Sequence, residues 1–197
     1  MEIAIFVEEV TTRVNSRVEN ILSQKKLLYY EMLKHSMKSF RRRWDSALTI
    51  CLCEILDHDR EETYQITTAV SLLVPAMFVV DDLIDKSRER EGRTTLWAKY
   101  GTGETIISVH ALINLFWEEI FRLKNQDLVS VSLDSINLLL VGEYRDIVQN
   151  KLGMLSEEQY WTLCYEKAGA ITETIGKIAA AAAKADPITW DIIVTCG

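Results

Sequence analysis

The chain has 197 residues, 48% hydrophobic and 26% charged, with a net charge of −7. That supplies a core for one globular domain over residues 1–197, and the acidity argues against a nucleic-acid surface. Cys51, Cys53, Cys164 and Cys196 lack zinc-type spacing, which predicts reduced thiols in a cytoplasmic protein with neither a secretory leader nor a spanning helix.

Two prolines and eight glycines interrupt a sequence rich in Leu, Ile, Ala, Glu and Lys, so an all-α protein is expected. Ile3, Phe6, Val7, Val10, Val14, Val18, Ile21 and Leu22 recur at spacings of three and four, the period of an amphipathic helix. A basic patch follows, with Lys34, Lys38, Arg41, Arg42 and Arg43. Residues 44–56 predict a helix that Asp57-His58-Asp59 breaks. Residues 61–85 predict one long helix, with Pro75 as the place where it could kink. Residues 86–103 have no period and three glycines, which predicts a loop or a short broken helix. Residues 104–124 and 128–148 are periodic again. Ser156 opens a further helix, with Glu157 and Glu158 in its first turn, running to the Ala-rich residues 179–183. Pro187 starts a final segment.

The apolar residues 69–80 end abruptly in Asp81-Asp82-Leu83-Ile84-Asp85. On a helix Asp81 and Asp85 are one turn apart on one face, with Asp82 about 100° round. Two such carboxylates repel each other unless a cation lies between them. Mg²⁺ prefers oxygen ligands and keeps water and substrate phosphate in its shell. A solvated acidic helix end would have the same pattern.

The motifs that accompany this stretch resemble those of the trans-isoprenyl diphosphate synthase (polyprenyl synthetase) family. Arg90-Glu91-Gly92-Arg93-Thr94-Thr95 and Lys99-Tyr100-Gly101 follow the acids. Lys38 and Arg41 stand upstream, and Gly142-Glu143-Tyr144-Arg145-Asp146 and Lys167-Ala168 stand downstream. The resemblance implies an antiparallel helical bundle around a central apolar cavity. It implies a catalytic set of Asp81, Asp82, Asp85, Arg90 and Lys167. Asp81 and Asp85 would hold Mg²⁺ against an allylic prenyl diphosphate, which Arg90 and Lys167 would grip. Lys38 and Arg41 would hold the second diphosphate. Ala76 and Met77 would line the prenyl pocket, where the small Ala76 leaves room for a longer tail or simply packs the helix. Glu143 and Asp146 are either acids opposite the first motif or a buried pair bonded to Lys or Arg. The resemblance also implies a homodimer.

The chain departs from the family pattern at the second-diphosphate positions. Val74 replaces the expected histidine, Glu91 the second arginine, and Ser36-Met37 a glycine pair. Glu91 reverses an interaction worth roughly 4 kcal/mol for unit charges at about 4 Å and an effective dielectric near 20. Arg42, Arg43 and Arg93 are the neighbours that could compensate. The family's second aspartate-rich motif is not among these residues. Three functions follow: a terpene synthase-like enzyme that cyclises or deprotonates the prenyl cation, a prenyltransferase, or a non-catalytic partner subunit of a homologous synthase.

Overall fold

The computed structural model describes residues 2–25, 28–38 and 43–196. The backbone divides into two compact units, Met1–Ile50 with Arg60–Leu123, and Cys51–Asp59 with Lys124–Gly197.

In the first unit α1 (Glu2–Gln24) buries Val10, Val14, Val18 and Leu22, the every-fourth row of the expected apolar stripe. Ile3, at the start of that stripe, is 80% exposed. The unit is built around α4 (Arg60–Ile84), which packs on α1, α2 (Tyr30–Lys38), α5 (Leu96–Tyr100) and α6 (Thr102–Arg122). The helix α3 (Trp44–Ile55) precedes α4 in the chain and ends at a turn where Asp57 takes a φ of 52°. Thr and Ser punctuate α4, so the sequence contains no long uninterrupted apolar run. Even so, α4 is long and apolar enough by composition to cross a membrane, a correction to the expectation that no segment would be. Within the protein 72% of that window is buried, as in a core helix.

Pro75 lies inside α4 without breaking it. A proline has no N–H for the carbonyl four residues back, which here belongs to Ser71. The Ser71 carbonyl instead accepts from Arg43 Nη1 at 3.1 Å. Arg43 is fully buried, and its Nε donates to Asn15 Oδ1 at 3.1 Å. The last arginine of the basic patch is thus a buried structural donor, which removes it from the neighbours expected to compensate at the second-diphosphate positions.

Residues 86–103 include the expected short helix, α5, but before it more than a loop. They hold an antiparallel ribbon of β1 (Glu89–Arg90) and β2 (Arg93–Thr94), with Glu89 opposite Thr94 and Arg90 opposite Arg93. Glu91 (φ 52°) and Gly92 (φ 73°) close it. Positive φ at both central residues is the requirement of a type I′ hairpin turn, whose twist matches the strands. The Ser87 carbonyl fixes the base of the ribbon, accepting from Thr95 Oγ1 and from Trp97 Nε1, each at 2.7 Å. Two-residue strands are too short for any period, which is why the sequence reading missed them.

In the second unit α7 (Gln126–Leu152) buries Leu128, Ser132, Ser135, Leu139 and Gly142 at spacings of four and three. These mostly small residues face α9 (Ala170–Ala182) and the π turn Tyr165–Gly169 before it. The capping box at Ser156 and Gln159 starts α8 (Glu157–Cys164) as expected. The expected single helix to residue 183 is instead α8 and α9 joined through the π turn. The final helix, α10 (Pro187–Cys196), packs on α9. Helices dominate both units, as the scarcity of prolines and glycines implied.

Candidate functional site

The last turn of α4 and the ribbon bring Asp81, Asp82 and Arg90 together. Arg90 Nη2 donates to Asp81 Oδ2 at 2.7 Å, and Arg90 Nε to Asp82 Oδ1 at 3.0 Å. One planar guanidinium thus spans two adjacent carboxylates, a geometry that a lysine ammonium cannot reproduce. The Phe78 ring lies 4.8 Å from the guanidinium carbon and adds a cation–π contact. Asp82 is 4% exposed. Burial pushes its carboxyl above the ordinary aspartate pKa, against the pull of Arg90. Burial opposes the charge on Arg90 too, but bonding to Asp82 and the charges of Asp82 and Asp81 outweigh it and raise its pKa. Asp82 therefore braces Arg90, while Asp81 stays partly accessible.

Asp85 is exposed one turn beyond Asp81, its backbone N–H donating to the Asp81 carbonyl at 2.9 Å. Asp81 and Asp85 supply hard oxygen donors of the kind Mg²⁺ takes. Among the described residues no three His, Cys, Asp or Glu side chains converge as a metal cage. A cation here would draw most of its shell from water and phosphate oxygens, as Mg²⁺ does, so the donor set fits it.

Of the other residues singled out in the sequence, Lys38 is exposed at the end of α2, while Arg41 lies outside the described residues. Val74 and Ala76 are buried in α4, and Met77 is partly exposed. Glu91 is exposed at the ribbon's turn. His35, on α2, ties that helix to the ribbon and to α5. Its Nε2 lies 2.9 Å from the Thr94 carbonyl and its Nδ1 3.4 Å from Lys99 Nζ. That pair of partners selects the tautomer with the proton on Nε2. Burial, joined by the charges of Lys99, Arg93 and Lys38, lowers its pKa despite the bond to Thr94.

The second unit holds its own cluster. Lys167, on the π turn, bonds Asp146 and lies 4.0 Å from Glu143. Arg145 pairs with Glu166, its Nη2 donating to Oε1 at 2.9 Å. Glu143 and Asp146 thus form a lysine-bound acid pair, one of the two arrangements the sequence left open. Sequence reasoning missed Gly142 as the residue that permits this. A Cβ at Gly142 would stand 2.1 Å from the Glu166 carbonyl oxygen, so only glycine lets α7 approach the π turn this closely. Its signal was its place at the head of the Gly142–Asp146 motif. Phe78 was missed as well, and its position three residues before Asp81 was the only hint.

The model of the polyprenyl synthetase family matches residues 26–195. The chain belongs to that family. A geranylgeranyl diphosphate synthase of Saccharolobus solfataricus is 24% identical over 165 residues, covering 80% of this chain and 50% of that protein. A variediene synthase of Emericella variicolor is 28% identical over 108 residues, covering 54% of this chain and 15% of that one. The chain therefore spans half or less of the length of these relatives. The fold matches the structure of a geranyltranstransferase from Thermotoga maritima with a TM-score of 0.87 at 22% identity, over 96% of this chain and 72% of that one. The polyprenyl synthetase match and this structural likeness identify the all-α fold as that of the isoprenoid synthases.

Proposed function

We propose that this polyprenyl synthetase carries the diphosphate-releasing machinery of an isoprenoid synthase. The observation that carries the reading is the Arg90 fork on Asp81 and Asp82, with Asp85 exposed one turn away. Three carboxylates against one guanidinium leave two negative charges, which suits a divalent cation. Asp81 and Asp85 are the residues that would hold Mg²⁺, with Asp82 keeping Arg90 in place. When bound, Mg²⁺ draws charge from a leaving diphosphate. Arg90 orients that diphosphate and offsets its charge, and it acts most strongly where negative charge develops. The allylic C–O bond then breaks, its electron pair leaves with the diphosphate, and an allylic cation remains. The apolar residues of α4 before Asp81, Ala76 and Met77 among them, would keep water from that cation.

The fate best supported is internal: cyclisation or loss of a proton. The family's two further second-diphosphate groups are here Val74, buried, and Glu91, negative. The match to a protein named a variediene synthase also favours it. Transfer to a second prenyl unit is the other reading, favoured by the match to a geranylgeranyl diphosphate synthase.

The experiment is to incubate the protein with Mg²⁺ and allylic diphosphates of increasing length, with and without isopentenyl diphosphate. Hydrocarbon or alcohol formed without isopentenyl diphosphate is the expected product. A longer diphosphate formed only with it would replace this reading by transfer. No turnover, together with binding to a homologous synthase, would make the chain a partner subunit.

A further inference from the structure

The ribbon that carries Arg90 is held at two places. At its base the Ser87 carbonyl accepts from Thr95 and Trp97. On its β2 side the tie is to another helix, α2, through His35. His35 Nε2 donates to the Thr94 carbonyl at 2.9 Å, and Lys99 Nζ of α5 donates to His35 Nδ1 at 3.4 Å. The imidazole also meets the Tyr100 ring edge-on, with the ring centres 5.6 Å apart. One side chain thus joins α2, β2 and α5. Thr94 pairs with Glu89, the neighbour of Arg90, and Arg93 pairs with Arg90 itself. A shift of β2 is therefore a shift of the guanidinium that spans Asp81 and Asp82.

This arrangement requires a neutral imidazole. Nδ1 accepts from Lys99 only while it carries no proton, and once protonated it becomes a second donor facing an ammonium. The charges that act on His35 are positive: Lys99 on α5, Arg93 on β2 and Lys38 on α2 itself. Burial works in the same direction and keeps its pKa below the ordinary histidine value. Of the acids on neighbouring helices, Glu19 of α1 bonds Lys34 and Tyr30, and Asp81 and Asp82 of α4 bond Arg90. Glu31 on α2, Glu89 and Glu91 on the ribbon and Glu104 on α6 are exposed, where water weakens their pull. Met32 of α2 packs against Val79 of α4 and Val109 of α6, an apolar contact.

We infer that His35 is a proton-operated clasp for Arg90: neutral, it ties the ribbon to α2 and α5 and holds the guanidinium on Asp81 and Asp82; protonated, it is repelled by Lys99 and lets the ribbon loosen. His35 is a positioning residue, acting through Thr94 and the ribbon. The inference goes beyond the function proposed above, and it is read at Arg90 rather than from turnover, so it stands or falls independently of that function.

The test follows the Arg90 Nε–H resonance and its hydrogen exchange at about pH 5 and about pH 7.5, in the parent and in His35→Gln, with rates corrected for the intrinsic effect of pH. Glutamine keeps a donor for Thr94 but takes up no proton. The His35 ring signals, identified among three histidines by their loss in the variant, report its protonation. In the parent, protonation of His35 should speed Arg90 exchange roughly ten-fold, the mark of local opening. His35→Gln should lack that increment. Titration of Asp82 is common to both proteins and cancels in the comparison. His35→Ala, with no donor, should exchange fast already at neutral pH. Three results would overturn the inference. One is an equal acid response in the parent and in His35→Gln. Another is an Arg90 signal that ignores the protonation of His35. The third is slow exchange at neutral pH in a folded His35→Ala. The first two need only the parent and the glutamine variant, so they decide the matter even where His35→Ala does not fold.

Discussion

At the end of α4 two adjacent carboxylates share one arginine, and on α7 two carboxylates three residues apart share one lysine. The arginine is carried by a two-residue ribbon whose turn and base are both fixed. The lysine is carried by a π turn held close to α7 by the absence of a side chain at Gly142. Arg90 reaches both partners through a rigid fork, one of them buried. Lys167 is a point charge on a flexible stem, bonded to one acid and only near the other. The first cluster is fixed by side-chain hydrogen bonds and the second by backbone proximity. Substitutions should therefore harm them in different ways.

The largest effect should come from Asp81→Ala. Loss of an electrostatic group at a leaving anion costs roughly 10²- to 10³-fold in kcat, and thermal unfolding should barely move because Asp81 is partly exposed. Unchanged turnover would remove Asp81 from the chemistry. Asp82→Ala should act through stability. Breaking a fully buried pair costs roughly 3–5 kcal/mol, and about 2–3 kcal/mol is expected here because Arg90 is a quarter exposed. Denaturant titration measures this, and a cost as small as that of Asp81→Ala would show that Asp82 braces nothing.

For the second cluster, Gly142→Ala must displace the Glu166 backbone. It should destabilise by about 1–3 kcal/mol, the range of overpacking, a Tm loss of roughly 2–4 °C per kcal/mol. Ala at the exposed Gly103, where a Cβ meets nothing, should leave Tm unchanged.

The smallest effect concerns His35, which braces the ribbon at Thr94. Its folded pKa lies below its unfolded value, so the unfolded state takes up the proton first as pH falls. The stability it confers is present above the ordinary histidine value of about 6.5 and is lost as pH drops through the folded pKa. Denaturation midpoints at neutral and mildly acidic pH should differ less in His35→Gln than in the parent.

What could be read from the sequence follows the same division. Period and capping residues gave the long helices, because each helix buries a face along its whole length. The acid pair and Arg90 could be read as a motif, but their mutual bond could not. It spans eight and nine residues across a ribbon too short to leave a period. The π turn left no trace either, since Tyr165 to Gly169 read as ordinary helix and the reason for the turn lies on α7. Arg43 misled most directly. In a run of three arginines nothing distinguishes the buried one, because the signal is a proline on a different helix.

That proline has a consequence for how the sequence can drift. Pro75 deprives the Ser71 carbonyl of its helical donor, and Arg43 supplies one in its place. A chain that exchanges Pro75 for alanine regains the missing N–H, and the Ser71 oxygen, with two lone pairs, can accept from it and from Arg43 together. A chain that loses Arg43 first leaves that oxygen stranded in the core. The order of the two steps therefore matters: Arg43 can be lost cheaply only after Pro75 has gone.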